Sequence, residues 1–154
     1  MSGMQDSLRE LYQEVIFDHN RNPRNYRPLP AANHHADGHN PLCGDQLTVY
    51  LQVEDGIVRD SSFVGHGCAI STASASLMTE AVKGKPVVEV EALFRDVHAL
   101  LTEGREAADP ARDFGKLEVL SGVKEFPARV KCATLAWHTL HNALVGEHET
   151  AHTE

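Results

Sequence analysis

Three cysteines and one aspartate of this sequence stand in settings that suit metal binding or sulfur chemistry. Cys43 and Asp45 stand two apart in Leu42-Cys43-Gly44-Asp45. Residues two apart in extended backbone project to the same side, and Gly44 between them removes bulk and lets the chain bend. A thiolate beside a carboxylate is repulsive unless a cation is shared between them. Cys68 follows two glycines in Gly65-His66-Gly67-Cys68-Ala69, where a strand end turns into a helix. The free N–H groups and the dipole at a helix start stabilise an anion, which makes the thiolate more available. Cys132, in Arg129-Val130-Lys131-Cys132, falls in the second turn of a helix that opens at Pro127, with two cations beside it. Three thiolates and one carboxylate form a donor set suited to tetrahedral Zn²⁺, and the hard carboxylate makes such a site labile.

Spacing alone does not decide the matter. Three cysteines far apart are a poor disulfide framework, and nothing here has the dense C-x-x-C pairing of a zinc ribbon. Buried filler, metal ligand and reactive thiol all remain open for each cysteine on these grounds. His66 is read as an exposed loop histidine rather than a ligand. His34, His35 and His39 are read as solvated on a polar loop or edge strand, and His141, His148 and His152 as surface or tail residues. Arg129 and Lys131 either tune the site or are simply solvated. Asn22-Pro23-Arg24-Asn25 is read as turn chemistry, on a loop that could also touch a partner.

The elements that must position these residues can be followed along the chain. Leu8, Leu11, Tyr12, Val15 and Ile16 recur at helical spacing over Met4 to Asp18, and three prolines between 23 and 30 forbid that helix from continuing. A first short strand is expected near Asn33 to His39. Leu47, Val49, Leu51 and Val53 alternate with polar residues as in a half-buried strand, Glu54-Asp55-Gly56 makes a turn, and Ile57 to Val64 returns. Helices are then expected over Ala69–Val82, Val90–Leu101, Phe114–Val123 and Pro127–Val145. A polar connector, Thr102 to Arg112, separates the second of these from the third. The fold class is α+β: an N-terminal helix, a small three-stranded antiparallel sheet, then a cluster of helices packed on it. Residues 1–146 form one domain in this reading, and 147–154 a flexible polar tail.

The chain has 154 residues, 42% hydrophobic and 23% charged, with a formal net charge of −8. That composition belongs to an ordinary globular domain with room for a core. The acidic balance argues against nucleic acid as the main partner, because a phosphate backbone rewards clustered Lys and Arg. No run is long enough to span a bilayer. The first ten residues lack the pattern of a signal peptide, so a cytoplasmic location is expected.

Four segments in order carry a family resemblance. They are Asp18-His19 followed by Asn22-Pro23-Arg24-Asn25, then Asn40-Pro41-Leu42-Cys43-Gly44-Asp45, then Gly67-Cys68-Ala69-Ile70-Ser71, and finally Arg129-Val130-Lys131-Cys132-Ala133. Together they resemble the IscU/NifU-type iron–sulfur scaffold family, and most of all its SufU branch, from the first helix to about Val145. The resemblance implies that Cys43, Asp45, Cys68 and Cys132 are metal ligands. It also implies that Cys43 accepts persulfide sulfur from a PLP-containing, SufS-type cysteine desulfurase and passes it to downstream iron–sulfur assembly proteins. Three departures from the scaffold branch favour a zinc-dependent sulfur acceptor. Lys131 replaces a His before the third Cys, and Phe126-Pro127-Ala128-Arg129-Val130-Lys131 replaces the chaperone-docking stretch. The segment between Cys68 and Cys132 is also longer. The alternatives are a scaffold holding iron or a [2Fe–2S] cluster on the same ligands, and a zinc-stabilised activator that transfers nothing.

Overall fold

The computed structural model describes residues 2–41, 44–146 and 151–152. The chain opens with helix α1 (Ser2–Arg21) and then pairs β1 (His34–Asn40), β2 (Asp45–Glu54) and β3 (Ile57–His66) into an antiparallel meander. Helices α2 (Ala69–Val82) and α3 (Val87–Thr102) follow, then 3₁₀ turns at Arg105–Ala107 and Gly115–Glu125, and finally α4 (Pro127–Val145). The three expected strands and the helical second half are therefore present. One addition is β4 (Ala151–His152), which runs parallel to β1 and makes the strand order β3-β2-β1-β4. The rest of the expected tail, 147–150 and 153–154, lies outside the described residues.

The sheet has one wet face and one dry face because its strands alternate. Along β2, Asp45, Leu47, Val49 and Leu51 are buried, while Gln46, Thr48 and Tyr50 reach towards solvent. The β2–β3 turn is a two-residue loop with Asp55 at φ 53° and Gly56 at φ 73°. Those values match the primed turn whose twist suits a hairpin. The dry face is covered by α2 and α4. Trp137 of α4 is 1% exposed, and its indole N–H donates to Ser74 Oγ on α2 at 3.2 Å, while that hydroxyl donates to the Ala133 carbonyl at 2.6 Å. Gly38 of β1 lets α4 approach closely, since a Cβ there would stand 3.2 Å from Leu135 Cδ1.

Two boundaries and one helix type differ from expectation, each for a visible reason. Helix α1 continues to Arg21, where the Asn22 N–H still bonds the Asp18 carbonyl and Pro23 then stops it. Helix α3 starts at Val87 rather than Val90, because Pro86 sets the entry at φ −60° and the Val87 N–H is taken by the Gly56 carbonyl. Val88 is 78% exposed, so the apolar stripe begins later than the helix does. The expected helix over Phe114–Val123 winds as 3₁₀ over Gly115–Glu125 instead: Phe114, Leu117, Leu120 and Val123 are all buried. That is a period of three, which is the 3₁₀ repeat.

Candidate metal centre

The site is assembled at the turn end of the β1–β2 hairpin, where the starts of α2 and α4 meet it. Asp45 opens β2 and faces the dry side of the sheet with no exposed surface. Its Oδ1 accepts the Cys68 backbone N–H at 2.9 Å. Gly67 must be a glycine for this to happen, since a Cβ there would lie 2.5 Å from Asp45 Oδ1. Cys68 is the N-cap of α2, with its Sγ accepting the Ser71 N–H at 3.4 Å. It is half-buried, and its Sγ lies 4.0 Å from Asp45 Oδ2. Cys132, in the second turn of α4, is buried and has Asn40 Nδ2 at 3.8 Å from its Sγ.

Asp45, Cys68 and Cys132 each offer a ligand atom, and these atoms all lie within 4.8 Å of one another. Two sulfurs at the usual zinc bond length of about 2.3 Å stand about 3.8 Å apart around a tetrahedron, so shifts of about an ångström or less bring the three donors to that spacing. Asp45 Oδ1 is occupied by the helix N–H, which leaves Oδ2 turned towards Cys68 Sγ. A buried carboxylate beside two thiols is electrostatically costly when the thiols ionise, and a divalent cation removes that cost. The donor set therefore fits zinc. Among the described residues no other three His, Cys, Asp or Glu side chains converge in this way. The fourth expected ligand, Cys43, lies outside the described residues. Its neighbour Gly44 takes φ 71° at the hairpin turn.

The loop after α1 turns out to brace this site. The Arg24 N–H donates to Ser76 Oγ and Asn25 Nδ2 to Thr79 Oγ1, both on α2. The Asn25 carbonyl accepts the Phe63 N–H of β3, and Asn25 itself takes φ 58°. Tyr26 O–H donates to the Gly65 carbonyl, while its ring meets Phe63 edge-on. Asn22-Pro23-Arg24-Asn25 thus ties β3 to α2, the two elements joined at Cys68.

The histidines divide differently from expectation. His66 is exposed, as read, and the His35 ring is exposed and stacks on Tyr50. His34 is not solvated: it is half-buried, with Nδ1 2.8 Å from the Ala143 carbonyl of α4. His141 is likewise half-buried rather than a plain surface residue, stacked on Phe94 at 4.9 Å and 3.2 Å from Glu91. His148 lies outside the described residues. Arg129 is exposed and sits over the Phe126 ring at 4.5 Å.

Two histidines that periodicity does not single out carry a pH consequence. His19 is 1% exposed, with Nδ1 2.7 Å from Ser76 Oγ, and burial, with Arg24 nearby, lowers its pKa. His138 packs against Phe94 and His98, and burial, then the neighbouring His98 and His141, lowers its pKa too. Both pKa values lie below the ordinary histidine value in the fold, so the unfolded chain takes up protons first as pH falls. The stability they contribute is present above about pH 6.5 and is lost below it, at up to about 1.4 kcal/mol per pH unit for each. Thermal unfolding of the metal-free protein should therefore weaken between pH 7 and pH 5.5. The double variant His19→Gln/His138→Gln should show a flatter profile, and an equally steep one would contradict this origin.

An α+β domain with a buried carboxylate and two thiols gathered at the turn end of its first hairpin is the class that fold and site define. The chain belongs to the family described as NifU-like N terminal domain, whose model matches residues 11–145. It is 42% identical over 141 residues to "Zinc-dependent sulfurtransferase SufU" of Bacillus subtilis, covering 92% of this chain and 94% of that protein. It is also 42% identical over 137 residues to "Iron-sulfur cluster assembly scaffold protein IscU" of Thermotoga maritima, covering 87% and 92%. A crystal structure from Fervidobacterium islandicum, described as a putative iron–sulfur cluster assembly scaffold protein for the SUF system, superposes with a TM-score of 0.77. That chain is 31% identical, over 85% of this chain and 94% of its own.

Proposed function

We propose that this chain is an iron–sulfur assembly protein that accepts persulfide sulfur from a cysteine desulfurase onto Cys43, with zinc held by Cys43, Asp45, Cys68 and Cys132. The observation that carries the reading is the convergence of Asp45, Cys68 and Cys132, from three separate segments, to within 4.8 Å. Cys43 is two residues from Asp45, and two residues of chain span at most about 7 Å between Cα atoms. The name of the Bacillus relative, a zinc-dependent sulfurtransferase, agrees with the donor set.

Bound zinc would keep the thiolates deprotonated at neutral pH and offset the charge of the buried carboxylate. Asp45 and Cys68 hold each other through the Asp45 Oδ1 bond to the helix N–H, so the carboxylate and the α2 thiol are pre-set on one side of the site. The Cys43 thiolate attacks the outer sulfur of the partner's cysteine persulfide. A new sulfur–sulfur bond forms at Cys43, the partner's own sulfur–sulfur bond breaks, and its cysteine departs as a thiolate. The partner is a PLP-dependent, SufS-type enzyme, and downstream assembly proteins take the sulfur onward. The reading implies a reducing, cytoplasmic setting, where three thiols persist. No described helix is long and apolar enough to cross a membrane.

A second reading, a scaffold for a [2Fe–2S] cluster on the same ligands, is favoured by the name of the Thermotoga relative. Lys131, where scaffolds carry a His, weighs against it. The two separate in one experiment on protein purified without oxygen and given desulfurase and cysteine. The expected result is about one zinc per chain and a persulfide mapped by mass spectrometry to Cys43. Iron–sulfur absorbance with no persulfide at Cys43 would overturn the proposal in favour of the scaffold.

A further inference from the structure

We infer that Asn40 is a positioning residue of the metal centre, whose side-chain amide donates an N–H···S hydrogen bond to the Cys132 thiolate and fixes that sulfur as a permanent anchor. The inference rests on the metal reading above and deepens it.

Asn40 ends β1 and is the direct Cα partner of Asp45 across the hairpin. Residues directly opposite in an antiparallel pair project to the same face, and both side chains here are wholly buried on the dry side. Each reaches a different helix start. Asp45 takes the Cys68 N–H of α2 at 2.9 Å, and Asn40 puts Nδ2 3.8 Å from Cys132 Sγ of α4. The turn end of one hairpin thus holds both cysteine-bearing helices.

Packing does not explain an asparagine there. Asn is depleted in strands, and a buried amide is costly unless it is bonded. An amide N–H gains little from a neutral thiol. It gains roughly twice as much from an ionised acceptor, and Cys132 is ionised when it binds metal. An N–H donor also draws charge from the sulfur it bonds and makes it a poorer nucleophile. Cys68 has a comparable donor in the Ser71 N–H at 3.4 Å. Two of the three sulfurs are thereby given anchoring roles, which suits a site where the remaining one, Cys43, carries the transferred sulfur.

The test compares zinc affinity, by competition with a chromophoric chelator, for the full chain and for Asn40→Asp and Asn40→Leu. Asp keeps the size and removes the N–H; Leu removes all polarity. Loss of the partner of a ligand of this kind typically lowers affinity about 10- to 100-fold, and that loss is the expected result for both. In the Co²⁺-loaded variants the thiolate-to-cobalt charge-transfer band should move to lower energy, a change that a purely structural residue would not cause. Wild-type affinity in both variants, with an unchanged cobalt spectrum, overturns the role of Asn40 and leaves the metal reading standing. A native chain that binds no zinc overturns both. Should either variant fail to fold, ¹¹³Cd-loaded, ¹⁵N-labelled native protein decides. A scalar coupling between cadmium and an Asn40 side-chain amide proton supports the bond, and its absence rules the bond out.

Discussion

Replacing Cys43 by alanine is expected to abolish persulfide acceptance, lowering sulfur transfer from the desulfurase by at least about 100-fold, because removing a covalent nucleophile leaves nothing to take its place. The expectation is sharp because the other two sulfurs are badly placed for the role. Cys132 is 4% exposed, and Cys68 is tied into the α2 cap, its sulfur accepting one N–H and its backbone N–H held by Asp45. Burial closes Cys132 off, and Cys68 would have to give up the Ser71 N–H to react. The measurement is single-turnover transfer of labelled sulfur from a persulfidated desulfurase. Cys43→Ala removes a proposed zinc ligand as well as the nucleophile, so zinc content is measured alongside; Asp45, Cys68 and Cys132 and the braces around them are untouched. Normal sulfur uptake in that variant would remove Cys43 from its role. Normal stimulation of the desulfurase without uptake would instead support an activator that transfers nothing.

The second large effect concerns the ligands themselves. Asp45→Ala should release zinc and also loosen the start of α2, because Asp45 Oδ1 caps the Cys68 N–H as well as belonging to the donor set. Cys132→Ser should release zinc while leaving that cap in place. A ligand present at 1,000 times its dissociation constant stabilises the native state by about 4 kcal/mol. In a chain of this size each kcal/mol moves the midpoint by about 2–4 °C. Both variants should therefore melt roughly 8–16 °C below the zinc-loaded protein, and added zinc should not rescue them. Stripping zinc from the native chain with a chelator should reproduce the Cys132→Ser midpoint. The Asp45→Ala midpoint should fall lower still, since it also loses the carboxylate's bond to the Cys68 N–H, a charged hydrogen bond worth about 1.5–3 kcal/mol. A chelator that leaves the native midpoint unmoved would show that no metal stabilises this fold.

Much of the architecture was legible in the sequence because local chemistry and tertiary packing agree there. The alternation of Leu47, Val49 and Leu51 states which face of β2 is dry. Pro127 marks the start of α4, and Gly146 closes it at φ 77°. Gly67-Cys68 announces the α2 cap, since a glycine before the helix is the residue that can pass over a carboxylate. Periodicity was misleading over Phe114–Val123, where buried residues three apart fit 3₁₀ turns and an α-helical stripe about equally well. The start of α3 was hidden because Val88 is exposed and the Val87 N–H is anchored by a backbone bond to the β2–β3 turn.

The site was legible only in part. Residue types and local settings make Cys43, Asp45, Cys68 and Cys132 candidates, but spacing cannot show that segments so far apart meet. The family resemblance supplied that expectation, and tertiary structure brings three of the four together. The structural roles of Asn40, His19 and Ser76 were missed because nothing in their own neighbourhoods separates a buried, bonded polar residue from a solvated one. For Asn40 a signal did exist. Once β1 and β2 are paired as a hairpin, the residue opposite Asp45 is Asn40, on the same face.

X-ray absorption at the zinc edge of the native, anaerobically prepared chain tests the shared four-ligand centre most directly. The expected spectrum has three sulfurs at about 2.3 Å and one lighter atom near about 2.0 Å. A first shell of nitrogen and oxygen with one sulfur or none would contradict it.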